Sequence, residues 1–265
     1  MPVRTSAVMS KPMQAARPRL VGILGGMGPM ATVDFLRKLV EMTPAACDQE
    51  HVPVLVHSVP QIPDRSSCIE GHGPSPLPAL LAGLHRLTGA GAEIIAMPCN
   101  TAHYWYDQLR GSSGIEVLHI VDAAADALAR SGVPDGPVGL LATTGTLLAD
   151  IYGRRLAGRG YDLLLPGPRR QEELVMAGIR AVKAGRVPQA RRLLRSAVAD
   201  LAAAGAKAVI LGCTEIPLAL DRTDRRGEVV LVDATAALAE ACIAASLPDR
   251  LVRAGQDMPG CPAWN

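Results

Sequence analysis

Two cysteines stand at matching places in the sequence, and their side chains could carry acid–base or nucleophilic chemistry. Cys99 follows the apolar run AEIIAMP and Cys213 follows the apolar run KAVILG, and each run predicts a buried β-strand. Where a helix begins after such a strand, its dipole and free amides favour a thiolate, so we expect a lowered thiol pKa at both positions. Each cysteine is therefore a candidate base or nucleophile.

The occurrence of a matched pair favours proton transfer over a single nucleophile. A thiolate can remove the proton from one face of a tetrahedral carbon while a thiol on the opposite wall replaces it. A mechanism with one nucleophile has no obvious use for a second cysteine, and neither motif has the glycine-flanked form of a nucleophile elbow. The alternative interpretation is a pair of packing thiols, because free cysteine is commonly buried.

The glycine-rich stretch VGILGGMGPMATVDFL is a second candidate binding element. Gly26, Gly28 and Ala31 match the G-x-G-x-x-A spelling of a dinucleotide-binding turn. A dinucleotide site also needs an acidic residue about 20 residues later, at the end of the second strand, and this sequence has the letters HS there. The amides of the turn from Gly25 to Gly28, which includes Met27, instead favour a small anion such as a carboxylate. The parallel turn at 143–146, within ATTGT, offers hydroxyls as well as amides. A tight turn without a ligand is the alternative.

The two halves of the chain resemble each other. RLVGILGGMG parallels GPVGLLATTG, GAGAEIIAMPCNTA parallels AAGAKAVILGCTEI, and HIVDAAADALA parallels VLVDATAALAE, in the same order and at similar offsets. We therefore predict two copies of one β/α unit. Because ligands bind at the carboxyl ends of strands in open α/β sheets, two facing copies would form one cleft with two matching walls.

Apolar runs alternate with helical segments along the chain, a pattern typical of parallel α/β architecture. Continuous apolar runs are expected for strands that are covered on both faces. We predict an α/β fold of two pseudo-symmetric, doubly wound domains with mainly parallel sheets and an active site in the cleft between them. The predicted limits are 19–120 plus 231–250 for the first domain and 121–230 for the second. A flexible extension is predicted at 1–18 and a tail at 251–265.

The composition argues against nucleic-acid, membrane and metal-binding roles. The chain has 27 Lys plus Arg against 25 Asp plus Glu, and only 3% of its residues are aromatic. No apolar run reaches the roughly 18 to 20 residues that span a membrane, and no metal-ligand spacing is present. Six scattered cysteines in a chain of this size favour a reduced, cytoplasmic location. Four of them are predicted to be packing or surface thiols: Cys47, Cys68, Cys242 and Cys261.

Five motifs in order resemble the aspartate/glutamate racemase superfamily, most closely its cofactor-independent aspartate racemase branch. They are GGMGPMATVDF, PQIPDR, MPCNTAH, AVKAG and GCTE, and the resemblance covers about residues 20–245. It implies two pseudo-symmetric α/β domains, no pyridoxal phosphate or other cofactor, and a homodimer. It also implies that Cys99 and Cys213 are the two acid–base residues.

The resemblance assigns substrate-binding positions as well. Arg65 of PQIPDR and Lys183 of VKAG are implied to bind the side-chain carboxylate, which suits a planar guanidinium and an added point charge. Glu215 stands where glutamate racemases typically carry histidine, which favours the aspartate-like branch; Glu215 either tunes Cys213 or caps the following helix. The remaining implied hydrogen-bonding positions are Asn100, Thr101, Thr144 and Thr214.

The expected function is racemisation of a small acidic amino acid, aspartate before glutamate. A maleate isomerase or another isomerase of the superfamily is an alternative, although PQIPDR and VKAG together favour an amino acid with a second carboxylate. The decarboxylases of the superfamily need only one cysteine, so the pair argues against them. A non-catalytic amino-acid-binding protein is the third alternative, because a fold does not prove a function.

Overall fold

The computed structural model describes residues 17–133, 135–220 and 229–248, and within them the chain forms two four-stranded parallel sheets. The first sheet contains β1 (Val21–Gly25), β2 (Val54–Ser58), β3 (Ile94–Ala96) and β4 (Glu116–Val117). The second contains β5 (Gly136–Leu141), β6 (Tyr161–Leu164), β7 (Ala208–Leu211) and β8 (Val230–Asp233). The strand orders are β2-β1-β3-β4 and β6-β5-β7-β8, so both sheets have the topology expected of two copies of one unit.

Helices connect the strands, as parallel pairing requires. In the first half they are α1 (Pro29–Met42), α2 (Arg65–Ile69), α3 (Leu77–Gly89), α4 (Tyr106–Ser113) and α5 (Ile120–Arg130). In the second half they are α6 (Thr144–Leu148), α7 (Gly153–Ala157), α8 (Pro168–Arg170), α9 (Ala177–Lys183), α10 (Val187–Ala203) and α11 (Ala234–Ser246). A π-helical turn at Gln171–Met176 joins α8 to α9, and 3-10 turns cover Asp48–Glu50, Thr101–Trp105 and Ile216–Leu218.

The apolar pattern of each strand follows its place in the sheet. All residues of the central strands β1, β3 and β7 are buried, as expected for strands covered on both faces. The edge strand β2 exposes every second residue instead. After β1 the chain turns sharply at Gly26, whose φ is +93°, and a Cβ there would lie 2.4 Å from the Val59 nitrogen. Only glycine fits this turn, which directs the following residues to the carboxyl edge of the sheet.

A hydrophobic core joins the two sheets. Val21 and Ile94 of the first sheet and Val138 and Ile210 of the second belong to the same buried cluster. Helices α5 and α11 pack against each other within it, and α11 also contacts α1 and β3. The chain therefore leaves the second sheet after β8 and returns to the first.

The predicted fold class is confirmed by this architecture. The predicted domain limits stay a proposal; residues 231–233, which we assigned to the first domain, pair with β7 in the second sheet. Of the predicted extension and tail, residues 1–16 and 251–265 lie outside the described residues. Across the described part of the chain, no helix combines the length and the apolar character needed to cross a membrane.

The cysteines outside the two motifs differ in state. Cys68 and Cys242 are free thiols, and Cys242 is fully buried. Cys47 is disulfide-bonded, so the expectation of a free thiol is wrong there. Chain length shows only that a fold of this size does not need a disulfide, and it does not prevent one. Cys261 lies outside the described residues.

Candidate active site

A buried cavity lies where the carboxyl ends of the two sheets meet. Its wall contains residues that follow β1, β3, β5 and β7, which are the two central strands of each sheet. Cys99 and Cys213 both line it, and each is 5% exposed. The lining residues are Met27, Asp64, Arg65, Ser66, Cys99, Asn100, Thr101, Thr143, Lys183, Cys213, Thr214 and Glu215.

Short, tightly bonded loops place the two cysteines at the strand ends. The Cys99 amide donates to the Met97 carbonyl at 2.8 Å, and a 3-10 turn begins two residues later. On the other side, the Gly212 amide donates to the Leu141 carbonyl at 2.7 Å, just before Cys213. A Cβ at Gly212 would lie 2.6 Å from the Leu140 side chain, so glycine permits this close approach of the loop to β5.

His103 forms hydrogen bonds that hold the backbone at Cys99 in place. Its Nε2 lies 3.2 Å from the Ile120 amide, which donates to it, so the ring proton is assigned to Nδ1. Nδ1 in turn donates to the Cys99 carbonyl at 2.9 Å. Burial lowers the pKa of His103 to about 4, because a charged ring is poorly solvated there. The neutral ring therefore ties the loop of Cys99 to the start of α5.

The expectation of lowered thiol pKa values is wrong for this structure. Burial is the largest influence on the pKa of both thiols. It raises the pKa of Cys99, and it raises the pKa of Cys213 well above the usual range. The segments that follow them are 3-10 turns rather than long helices, and desolvation outweighs the attraction of their amides.

The two thiols differ in the balance of nearby charges, although Lys183 and Glu215 act on both of them. At Cys99, the positive charges of Arg65 and Lys183 oppose the effect of burial. At Cys213, the Glu215 carboxylate adds to it, and the Cys213 thiol donates to Glu215 Oε2 at 3.1 Å. Both thiols are therefore harder to ionise than a free cysteine, and Cys99 is the one that ionises first.

This asymmetry predicts the order in which the two thiols are alkylated. Since the thiolate is the reactive form, raising the pH from about 7 to about 10 should modify Cys99 before Cys213. In Glu215→Gln the carboxylate charge is lost, the pKa of Cys213 falls, and its modification should move to lower pH. Iodoacetamide labelling followed by peptide mass spectrometry measures both, with the half-exposed Cys68 as an internal reference. Earlier modification of Cys213 in the wild type, or an unchanged Cys213 rate in Glu215→Gln, would contradict the assignment.

Arg65 and Lys183 reach the cavity from opposite halves of the chain. Arg65 is the first residue of α2 and is 9% exposed; its Nη1 donates to the carbonyls of Ile62 and Pro63 at 3.0 and 2.9 Å. Its Nε is buried and has no hydrogen-bond partner among the described residues. Lys183, the last residue of α9, is exposed at the mouth of the cavity. Two cationic groups thus face the same space.

The glycine turn contributes to the site differently from the expectation. The Gly26 amide donates to Thr32 Oγ1 at 2.8 Å, so it is not free to bind an anion. Met27 lines the cavity with its buried side chain. A Cβ at Gly28 would lie 3.0 Å from Glu215 Oε1, so the turn approaches the carboxylate beside Cys213.

A hydroxyl cluster links the two halves beside the cysteines. Thr101 Oγ1 lies 3.1 Å from Thr143 Oγ1 and 2.8 Å from Thr146 Oγ1, and the Ser66 hydroxyl donates to Thr143 at 3.1 Å. Thr143, rather than the predicted Thr144, lines the cavity because Thr143 caps α6 and its side chain accepts from the Thr146 amide. The sequence offered only the TT pair and no means to choose between its members.

A second cleft, of about 530 Å³, adjoins the cavity on the side of the glycine turn. The two spaces share four charged residues, Asp64, Arg65, Lys183 and Glu215. Apolar side chains, among them Met30, Ile62 and Leu218, form much of its remaining wall. This cleft gives the buried cavity a route to the surface.

The structure gathers most of the predicted site residues and adds others. Both cysteines, Met27, Arg65, Asn100, Thr101, Lys183, Thr214 and Glu215 line the cavity, and Gly28 lines the adjoining cleft. Sequence reasoning missed Ser66, and it missed Tyr152, whose hydroxyl donates to Asn100 Oδ1 at 2.6 Å. Among the described residues, no group of three or more His, Cys, Asp or Glu side chains is arranged to hold a metal ion.

Known proteins resemble this chain in sequence over most of its length. The family model for Asp/Glu/hydantoin racemases matches residues 24–242. The broad-specificity amino-acid racemase RacX of Bacillus subtilis (strain 168) is 26% identical over 232 residues, which cover 86% of this chain and 98% of that protein.

Solved structures of racemases share the fold. The aspartate racemase of Picrophilus torridus superposes with a TM-score of 0.77 at 33% identity, covering 86% of this chain and 94% of that one. An aspartate racemase homologue from Pyrococcus horikoshii superposes with a TM-score of 0.69 at 25% identity, covering 86% and 99%. The matched model spans most of the chain, including both cysteine motifs, and the chain belongs to the Asp/Glu/hydantoin racemase family.

Proposed function

We propose that this protein is a racemase that interconverts L- and D-aspartate without pyridoxal phosphate, by proton transfer between two cysteines. The observation that carries the proposal is that Cys99 and Cys213, from matching strand ends, line one buried cavity together with Arg65 and Lys183. A two-base reaction needs an acid and a base on opposite walls, and an acidic substrate needs cations beside them.

Two unpartnered donors support a substrate with two carboxylates. Arg65 Nε and Asn100 Nδ2 are both buried without a hydrogen-bond partner among the described residues, and both residues line the cavity. Leaving a buried donor unpaired costs about 1–3 kcal/mol, so a ligand that accepts from both would be bound favourably. In our proposal the side-chain carboxylate binds Arg65 and Lys183, and the α-carboxylate binds Asn100 with Thr101 and Thr214.

The asymmetry of the thiols suggests the order of proton transfers in one direction. The Cys99 thiolate removes the α-proton, and the Cys213 thiol donates its proton to the opposite face of the α-carbon. The products are the other enantiomer, a Cys99 thiol and a Cys213 thiolate. Because that thiolate lies beside the Glu215 carboxylate, repulsion raises the proton affinity of Cys213. Cys213 then gains a proton from solvent and Cys99 releases one, which restores the starting state.

A broader substrate range is a second candidate, favoured by the adjoining apolar cleft and by the broad-specificity relative. Incubation of the purified protein with aspartate, glutamate, alanine and maleate, without added cofactor, separates the possibilities when products are resolved by chiral chromatography. Inversion of aspartate above all others supports the proposal. Conversion of maleate alone would replace it with an isomerase, and binding of aspartate without conversion would indicate a binding protein.

The family resemblance extends the proposal to assembly and location. We expect a homodimer, which light scattering coupled to size-exclusion chromatography can test, and a cytoplasmic enzyme. A monomeric mass at working concentrations would contradict the expected homodimer.

A further inference from the structure

The side chain of Asn100, next to Cys99, is held by a residue from the other half of the molecule. Tyr152 lies directly before α7 in the second half, and its hydroxyl donates to Asn100 Oδ1 at 2.6 Å. Tyr152 is 1% exposed and Asn100 is 2% exposed, so water does not compete for this bond. A buried side-chain contact thus crosses between the halves beside a cysteine of the site.

This contact determines what the rest of the amide can do. With Oδ1 occupied by Tyr152, the Nδ2 group is left as a donor, and it is buried without a partner among the described residues. Asn100 also lines the cavity. Because a carboxylate only accepts hydrogen bonds, it can bind this amide through Nδ2 and not through Oδ1.

We propose that Tyr152 is a positioning residue, whose hydroxyl orients the Asn100 amide so that Nδ2 donates to the substrate carboxylate beside Cys99. The inference rests on the proposed function and adds to it a residue that does not contact the substrate. Tyr152 belongs to the second half of the chain and Asn100 to the first, so a residue of one half sets the orientation of a binding group in the other.

The chemistry of the phenol suits this role. Burial, followed by the charges of Cys213 and Asp233, raises the pKa of Tyr152, so the hydroxyl keeps its proton at neutral pH and can donate it to Asn100. The amide torsion of asparagine is broad and roughly two-fold, so packing alone distinguishes its two orientations weakly. Without the hydroxyl, the amide can turn its oxygen toward the cavity, where it would repel a carboxylate.

The test is a double-mutant cycle of Tyr152→Phe and Asn100→Ala, read as kcat/KM for L-aspartate. Losing an oriented hydrogen bond to a charged group should lower kcat/KM of Tyr152→Phe by about tenfold to a hundredfold. Asn100→Ala should cause a loss at least as large, and the double variant should be no worse than Asn100→Ala alone. This lack of additivity is expected only if Tyr152 acts through Asn100.

Tyr161→Phe is the matched control. Tyr161 is also buried, and its hydroxyl donates to the Val133 carbonyl at 2.9 Å, outside the cavity lining. It should lose stability in thermal denaturation to an extent similar to Tyr152→Phe, yet keep kcat/KM within about twofold of wild type. A purely structural role of Tyr152 would make the two variants alike in activity.

Three outcomes would overturn the inference: wild-type kcat/KM in Tyr152→Phe, additive losses in the double variant, or equal activity losses in the two Tyr→Phe variants. If Tyr152→Phe does not fold, Asn100→Asp decides, because it keeps an oxygen for Tyr152 and removes the donor. Our inference expects a large rise in KM for this variant, and an unchanged KM contradicts it. An inactive wild-type protein would contradict the proposed function, whereas an active one with an unaffected Tyr152→Phe contradicts only this inference.

Discussion

Replacing either Cys99 or Cys213 by alanine is expected to lower the rate of aspartate racemisation by about 10²- to 10⁴-fold, the contribution of one general acid or base. Both thiols line the buried cavity, and no other described cysteine does. If one thiol removes the α-proton and the other returns it, inversion requires both. The measurement is the initial rate of D-aspartate formation from L-aspartate, and of the reverse reaction, by chiral chromatography.

Cys242→Ala is the control for loss of a buried thiol. Cys242 is fully buried in α11, in the core that joins the sheets, and lies outside the cavity lining. Its replacement should reduce stability through the lost packing volume while activity per folded molecule stays at the wild-type level. Full racemisation by Cys99→Ala or by Cys213→Ala would exclude the two-base scheme, whatever the control does.

Replacing Arg65 by methionine is expected to raise KM for aspartate by about tenfold to a hundredfold, the effect of losing hydrogen bonds to a charged group. The apolar side chain preserves much of the arginine stem, so the change removes mainly the guanidinium. Alanine has no side-chain carboxylate, so its KM or its inhibition constant against aspartate should change far less. Steady-state kinetics with both amino acids tests this selectivity.

Arg130→Ala controls for the general loss of a positive charge. Arg130 is exposed and forms an ion pair with Glu240 on the surface groove between α5 and α11, away from the cavity. Its removal should leave both constants close to wild type, since surface ion pairs contribute little. An equal rise for aspartate and alanine in Arg65→Met would remove Arg65 from side-chain recognition.

The sequence was most informative where the backbone alone sets the position of a residue. Cys99 and Cys213 follow apolar runs in two similar halves, and parallel sheets bring the carboxyl ends of such runs to one edge. Gly26 belongs to a glycine-rich stretch for which a tight turn was one interpretation, and its positive φ fits that turn. The parallel two-sheet architecture could be predicted for the same reason, since its strands are continuous apolar runs.

The properties that depend on side-chain surroundings could not be predicted in this way. The thiol pKa values rise because both cysteines are buried, and the depth of burial is set by packing between the halves. The Gly26 amide is occupied by Thr32, six residues away on α1. Tyr152 resembles an ordinary core tyrosine in sequence, and only the folded chain places its hydroxyl on Asn100.

The central claim is that two different groups handle the α-proton, and proton NMR of the wild-type enzyme with L-aspartate in D₂O tests it most directly. Our account predicts that D-aspartate carries deuterium at the α-carbon from its first appearance, because the donating thiol has exchanged with solvent. The remaining L-aspartate should keep its α-proton during that early period. D-aspartate that retains the original proton, or exchange in L-aspartate without inversion, would contradict proton transfer between Cys99 and Cys213.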